Sequence, residues 1–212
     1  MSLKRLFYPR SMAIVGASPN LKGGTIPYYQ IMKMAGYRGR LYPVNPRYSD
    51  IQGVKVYPSL DELPEEIDLV IASVPAGKAV ETVEAAARRG VKFLHFFTSG
   101  FSESGNLSLE KELLRAARKG PTRIIGPNCI GIHCNESRVS CDIPKSPATL
   151  QGSVGFLGQS GGMTHSFMRM ARSRNIELNK VVSYGNQIDV CFEEYLEYFA
   201  RDDGIRVIGA YI

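Results

Sequence analysis

The stretch Ser11-Met-Ala-Ile-Val-Gly-Ala-Ser18 decides how the chain is read. Its apolar run stops at Gly16, and a helix-period segment follows that Thr25 can cap, with Pro27 in the first turn and Gly36 beyond the end. Strand, glycine turn and helix are the opening unit of an alternating α/β chain. Outward from it the pattern repeats. A strand at 39–44 stops at Asn45-Pro46, a short extra strand is expected at 54–57, and Ser59 with Glu62 is a capping-box signal for a brief helix. A buried strand at 68–74 precedes a helix at 76–89 ended by Gly90. Strand 92–98, helix 108–119 ended by Gly120, and strand 123–125 complete the series. Five strands with helical crossovers predict a doubly wound parallel sheet. Pro144 and Pro147 interrupt the pattern, which places a first domain at 1–145. The alternation restarts over 150–212, with strands at 153–157, 180–183 and 206–212 and helices at 162–175 and 191–200. Because the chain stops on its third apolar strand there, the second domain is expected to be incomplete.

Composition narrows the functional classes. A chain of 212 residues with 44% apolar content can bury a core. No apolar run approaches the ~20 residues of a membrane span, and residues 1–10 lack the apolar stretch of a signal peptide. A soluble cytoplasmic protein is expected. The net charge of +6 is carried by scattered basic residues rather than a cluster, which fits an anionic small molecule better than nucleic acid. The four cysteines read as free thiols. Cys129, His133, Cys134 and Cys141 match no paired metal-ligand spacing, so no metal is expected.

Two glycine turns stand out beside the first. Ile125-Gly-Pro-Asn-Cys-Ile-Gly131 and Gly158-Gln-Ser-Gly-Gly162 each follow a strand, and the second opens a helix whose positive end favours phosphate. Gly16, Gly23 and Gly24 do not form the G-x-G-x-x-G fingerprint of a dinucleotide site. The second strand ends in Asn45-Pro46-Arg47, where an NAD site has an acidic residue for the ribose. Arg47 suits an extra ribose phosphate, as in NADP or coenzyme A, or is a solvated surface charge.

Val15-Gly-Ala-Ser18, Tyr42-Pro-Val-Asn-Pro46, Val74-Pro-Ala76, Ser99-Gly-Phe101, Ile125-Gly-Pro-Asn-Cys129, Gln159-Ser-Gly-Gly162 and Ser183-Tyr-Gly-Asn186 with Asp189 stand in one order along nearly the whole chain. In this register the chain resembles the ADP-forming (NDP-forming) acyl-CoA synthetases, relatives of the succinyl-CoA synthetase α subunit. The resemblance implies a Rossmann-like CoA-binding domain followed by part of a flavodoxin-like α/β domain. It also implies the reaction of an organic acid, CoA and ATP to acyl-CoA, ADP and phosphate through an acyl phosphate and a phosphohistidine. By the same resemblance, Gly16, Ala17 and Ser18 hold CoA phosphates and Arg47 adds a charged contact. Val74, Pro75, Phe97, Thr98 and Ser99 line the nucleotide or pantetheine path, and Asn128 lies near the thiol with Cys129. Gln159, Ser160, Gly161 and Gly162 face the phosphorylated histidine. That chemistry uses the CoA thiol as nucleophile, so Cys129 is read as a packing or thiol-adjacent residue.

No catalytic residue is assigned within the chain. His95 falls in a strand, His133 in a loop or hairpin, and His165 about one turn into the helix after the phosphate turn. His165 is a substrate-pocket candidate or an ordinary helix residue. The phosphoryl carrier and an ATP-grasp domain or subunit, which handles ATP or ADP with Mg, are expected elsewhere, and an oligomer is expected. The other readings are a regulatory or degenerate synthetase-like CoA-binding module and an NADP-binding Rossmann protein.

Overall fold

The computed structural model describes residues 2–19, 26–142 and 152–212. In chain order the helices and strands are α1 (Lys4–Phe7), β1 (Ser11–Val15), α2 (Tyr28–Ala35), β2 (Arg40–Val44), β3 (Asp50–Ile51), β4 (Val54–Lys55), β5 (Leu69–Ala72), α3 (Ala79–Arg88), β6 (Phe93–Phe96), α4 (Leu107–Ala117) and β7 (Arg123–Ile125). There follow β8 (Gly131–Cys134), β9 (Val154–Gly158), α5 (Gly161–Ser173), β10 (Leu178–Ser183), α6 (Phe192–Ala200) and β11 (Val207–Tyr211).

The first sheet has the order β2-β1-β5-β6-β7, and each neighbouring pair is parallel. Its strands read as unbroken apolar runs because both faces are covered. Ala13, Val70, Ala72, Leu94, Phe96 and Ile124 point to one core, shared with Val83 of α3 and Leu113 of α4. Met12, Ile14, Leu69, Ile71, Phe93 and Ile125 point to the other, where Tyr28 and Met32 of α2 pack. Burying each large apolar side chain contributes about 2 kcal/mol. The doubly wound sheet is therefore the one that the alternation predicts.

The second sheet has the order β11-β9-β10-β8. β9 pairs in parallel with β10 and β11, whereas β8 runs antiparallel to β10. Residues 125–131 read as a turn closing the first unit, and His133 as a loop or hairpin residue. Instead the chain leaves the first sheet at Ile125 and enters the second as β8. A four-residue segment, Gly-Ile-His-Cys, is too short to declare a period, and its partner strand lies far downstream. The second core is continuous across the two sheets: Phe7, Ile132, Phe156, Tyr184, Tyr195 and Phe199 belong to the same cluster as Met12 and Ile125. The Phe7 ring stacks on Tyr198 at 5.0 Å.

Local differences are small and have local causes. Gly36 ends α2 in the left-handed conformation, with its N–H on the carbonyls of Lys33 and Met32. Pro27 occupies the N-cap position rather than the first turn. Thr25, Gly23, Gly24 and the boundary at 144–147 lie outside the described residues. Ser59 makes no side-chain cap, and only a single 3₁₀ turn, Leu60–Glu62, follows it. The extra strand expected at 54–57 is the small antiparallel pair β3–β4. α1, unmarked by periodicity, buries Leu6 and Phe7. Among the described residues no helix is long and apolar enough to cross a membrane.

Candidate functional site

In the first sheet the chain moves from β1 outward to β2 and then returns to β5 on the opposite side of β1. That reversal opens a crevice beyond the carboxyl ends of β1 and β5, the position where open α/β sheets bind ligands. Gly16, Ala17 and Ser18 form one wall and Val74 and Pro75 the other. The walls touch: Gly16 has φ 89°, and a Cβ built there would collide with the Ser73 carbonyl oxygen. Glycine is required at this position by the neighbouring loop. The Gly16 N–H donates to the Val44 carbonyl at 2.9 Å.

Asn45 does more than vacate the place of an acidic ribose contact. Its side-chain amide donates to the Ala17 carbonyl at 2.8 Å, and its Oδ1 accepts the Arg47 N–H at 3.0 Å. The Asn-Pro-Arg turn is thereby held against the Gly16–Ser18 wall, with Arg47 exposed at its tip. Gln30 of α2 completes the wall by donating to the Ser18 carbonyl at 2.7 Å.

The loops after β6 and β7 continue the same edge. Phe97 packs edge-on against Tyr28, with ring centroids 6.0 Å apart. The Thr98 hydroxyl donates to the Val74 carbonyl at 2.5 Å, and the Thr98 carbonyl accepts the Asn128 N–H at 2.9 Å. Ser99 is exposed. The structure thus brings Gly16, Ala17, Ser18, Arg47, Val74, Pro75, Phe97, Thr98, Ser99 and Asn128 to one end of one sheet.

The second glycine turn lies at the equivalent end of β9. Ser160 is the N-cap of α5, and its Oγ accepts the Met163 N–H at 3.3 Å. The N–H groups of Gly161 and Gly162 have no acceptor within the helix. A Cβ on Gly161 would press on Ile130, whereas among the described residues one on Gly162 would meet nothing nearer than Ser160 Oγ at 3.9 Å. The Ser183 hydroxyl is buried beside this helix start and has no hydrogen-bond partner among the described residues. Gln159 is tied down through its N–H to the Tyr211 carbonyl at 2.9 Å. A 13-residue helix with this opening presents partial positive charge to an anion.

A part-buried ion cluster clasps the two units. Arg123 in β7 donates to Asp189 Oδ1 and to Glu194 Oε1, each at 2.8 Å, and Asp189 Oδ2 accepts the Ile124 N–H at 2.8 Å. The guanidinium holds the Glu194 carboxyl below its usual range, against partial burial, which works the other way. In the sequence Asp189 stands out only alongside the Ser183–Asn186 motif. Glu110, buried on α4 and accepting the Ser102 N–H and hydroxyl, had no sequence signal because its helix position looks like an exposed one.

His95, Cys129, Cys134 and Cys141 are buried. Burial drives the His95 pKa down to about 4, and its Nε2 lies 2.9 Å from the Cys129 carbonyl. Burial raises the Cys129 thiol far above its ordinary value and pushes Cys141 up to about 12, so neither is a ready nucleophile. His133 meets Ser140 Oγ, and Cys141 lies against Met168. Among the described residues no cluster could hold a metal. His165 pairs with Asp142 at 3.0 Å, and Arg172 donates to the other Asp142 oxygen at 3.2 Å.

Residues 10–135 match the family model described as a CoA binding domain, and 151–212 match a succinyl-CoA ligase like flavodoxin domain. An acetate–CoA ligase (ADP-forming) of Methanocaldococcus jannaschii is 35% identical over 210 residues, spanning 99% of this chain and 29% of the relative. The alpha subunit of acetate–CoA ligase (ADP-forming) II from Pyrococcus furiosus is 36% identical over 216 residues, or 99% of this chain and 46% of the subunit. The solved dinucleotide-forming acetyl-coenzyme A synthetase 1 of Ca. Korarchaeum cryptofilum superposes with a TM-score of 0.92 at 34% identity, covering 100% of this chain and 46% of that one. It has also been solved in complex with phosphate and ADP. The chain spans less than half the length of these relatives. With a crevice at the sheet's switch point and a match over 10–135, the chain belongs to the CoA-binding domain family and is similar over its whole length to ADP-forming acetate–CoA ligases.

Proposed function

We propose that this chain supplies the CoA site and half of a phosphotransfer site of an ADP-forming acid–CoA ligase. The observation that carries the reading is the gathering of the crevice residues, Gly16–Ser18, Arg47, 74–75, 97–99 and Asn128, at the switch point of the parallel sheet. In this reading residues 1–145 are the CoA-binding domain. The Gly16–Ser18 wall and Arg47 take CoA phosphates, the loops after β5 and β6 guide the pantetheine, and Asn128 stands near the thiol. Residues 150–212 contribute Gln159, Ser160, Gly161 and Gly162, whose helix start stabilises phosphoryl charge.

The organic acid, CoA and ATP are converted to acyl-CoA, ADP and phosphate, with the CoA thiol as nucleophile. His95 is buried, His133 is half-buried against Ser140, and His165 is engaged with Asp142. A phosphoryl-carrying histidine and an ATP-grasp unit with ATP or ADP and Mg therefore come from other parts of the enzyme, in an oligomer located in the cytoplasm. His165 faces Asp142 at the rim of α5 and is at most a wall of the acid pocket.

Thermal unfolding with separate ligands tests the CoA reading. CoA at 100 times its dissociation constant stabilises the chain by about 2.7 kcal/mol, NAD and NADP leave the midpoint unchanged, and Arg47→Ala diminishes the CoA shift. A shift with NADP and none with CoA overturns the reading. Complete acyl-CoA synthesis by this chain alone overturns the assignment of the remaining machinery to other parts.

A further inference from the structure

Between the two glycine turns runs the segment 184–190, and its backbone is bonded to both. The Tyr184 and Gly185 N–H groups donate to the carbonyls of Gly158 and Gln159 at 3.0 and 3.2 Å, on the side of the α5 turn. The next N–H, that of Asn186, donates to the Pro127 carbonyl at 3.0 Å, and that of Ile188 to the Gly126 carbonyl at 3.1 Å, on the side of the β7 turn. Three consecutive residues thus span the gap between the sheets. Gly185, at φ 57°, permits the approach, because a Cβ there would collide with the carbonyl oxygens of Pro127 and Asn128.

The Asn186 side chain carries the link to a third loop. Its Oδ1 accepts from the Asn128 side-chain amide at 3.4 Å, and its Nδ2 faces Glu110 Oε1 at 2.7 Å, Glu103 Oε2 at 2.5 Å and Ser102 Oγ at 3.3 Å. The Glu103 carboxyl is itself held by the N–H groups of Gly100 and Phe101, next to Ser99. Asparagine answers this setting in a way its neighbours in size do not. Aspartate would set a third carboxylate against Glu103 and Glu110, and leucine would leave the buried Glu110 without one of its donors.

We propose that Asn186 is a positioning residue that makes occupancy of the CoA edge and occupancy of the α5 helix start interdependent. The inference rests on the reading that those two places take CoA and a phosphoryl group. A thiol arriving beside Asn128 orders the 127–128 turn. Asn186 passes that order to Gly185 and Gln159, where the phosphate turn begins. Coupling of this kind is reciprocal, so phosphate must favour CoA by the same factor.

Calorimetric titration of the full chain with CoA, in the absence and presence of saturating inorganic phosphate, tests it. In the wild type phosphate tightens CoA binding about five-fold or more. In Asn186→Ala each ligand still binds but the factor falls to one, and Asn186→Ser, which retains a donor, recovers part of it. Loss of packing alone would weaken both ligands and leave their ratio unchanged. An uncoupled wild type, or full coupling in Asn186→Ala, overturns the proposal while CoA binding stands. Absence of CoA binding in the wild type overturns the functional reading beneath it. Should the variants not fold, amide exchange in the wild type decides. Slowing by CoA at 185–186 and in the first turn of α5 supports the link, and slowing confined to the first sheet's loops overturns it.

Discussion

The turn after β1 and the turn after β9 read alike in the sequence, each a strand that meets glycine ahead of a helix, yet they are built differently. Gly16 is locked between two strands, with its N–H on Val44, the Ser73 carbonyl where its side chain would be, and Asn45 binding the next residue. Gly162 stands in the open: among the described residues a Cβ there would meet nothing nearer than Ser160 Oγ at 3.9 Å. The first glycine is explained by the fold alone. The second is not, and the small residue there keeps clear the approach to a helix start. A glycine in a site therefore testifies to a ligand only when the surrounding chain leaves it room to be something else.

Substitution sharpens this contrast. Gly16→Ala forces both a strained backbone and a collision with main chain, and is expected to cost about 2–3 kcal/mol in urea unfolding and to abolish the CoA shift. A variant as stable as the wild type would show that the first turn is as free as the second. Acid tests the packing beneath the first site. His95 binds its proton with a pKa of about 4 when folded, and near 6.5 when unfolded. As pH falls below 6.5 the unfolded chain takes up the proton first, so stability present at neutral pH is lost progressively towards pH 4. The loss at pH 5 is about 2 kcal/mol from this residue, and His95→Gln should flatten that part of the pH profile. An unchanged profile would mean that His95 takes up its proton as readily in the folded protein as in the unfolded chain. The smallest stability effect is expected at Gly162→Ala, which should stay within about 1 kcal/mol of wild type and can gain from helix propensity. Its affinity for inorganic phosphate should nevertheless fall about ten-fold, the equivalent of ~1.4 kcal/mol. Unaltered phosphate binding would break the comparison at its second term.

Much of the fold was legible because parallel strands buried on both faces leave unbroken apolar runs, and Gly36 and Gly90 punctuate the helices between them. The crevice residues were named by the family resemblance, and their position in the chain suits that reading. They follow directly on strand ends, so Gly16–Ser18, Asn45–Arg47, Val74 and Phe97–Ser99 are adjacent in sequence to signals that can be read. β8 was not legible, since four residues carry no period and the pairing with β10 is non-local. Glu110 was equally hidden, because a carboxylate on a helix reads as solvated until Ser102 and Asn186 are seen to surround it.

The sequence by itself determined the alternation of strands and helices, the placing of the glycine turns at strand ends and the absence of a dinucleotide fingerprint. These follow from local hydrophobic pattern and from the backbone freedom of single residues. Only the tertiary structure decided that β8 leaves the first unit for the second sheet, that Arg123 clasps Asp189 and Glu194, and that 184–190 bridges the two turns. Those contacts join residues far apart in the chain through hydrogen bonds whose partners are chosen by packing, and no local pattern encodes which distant carbonyl a given N–H will meet.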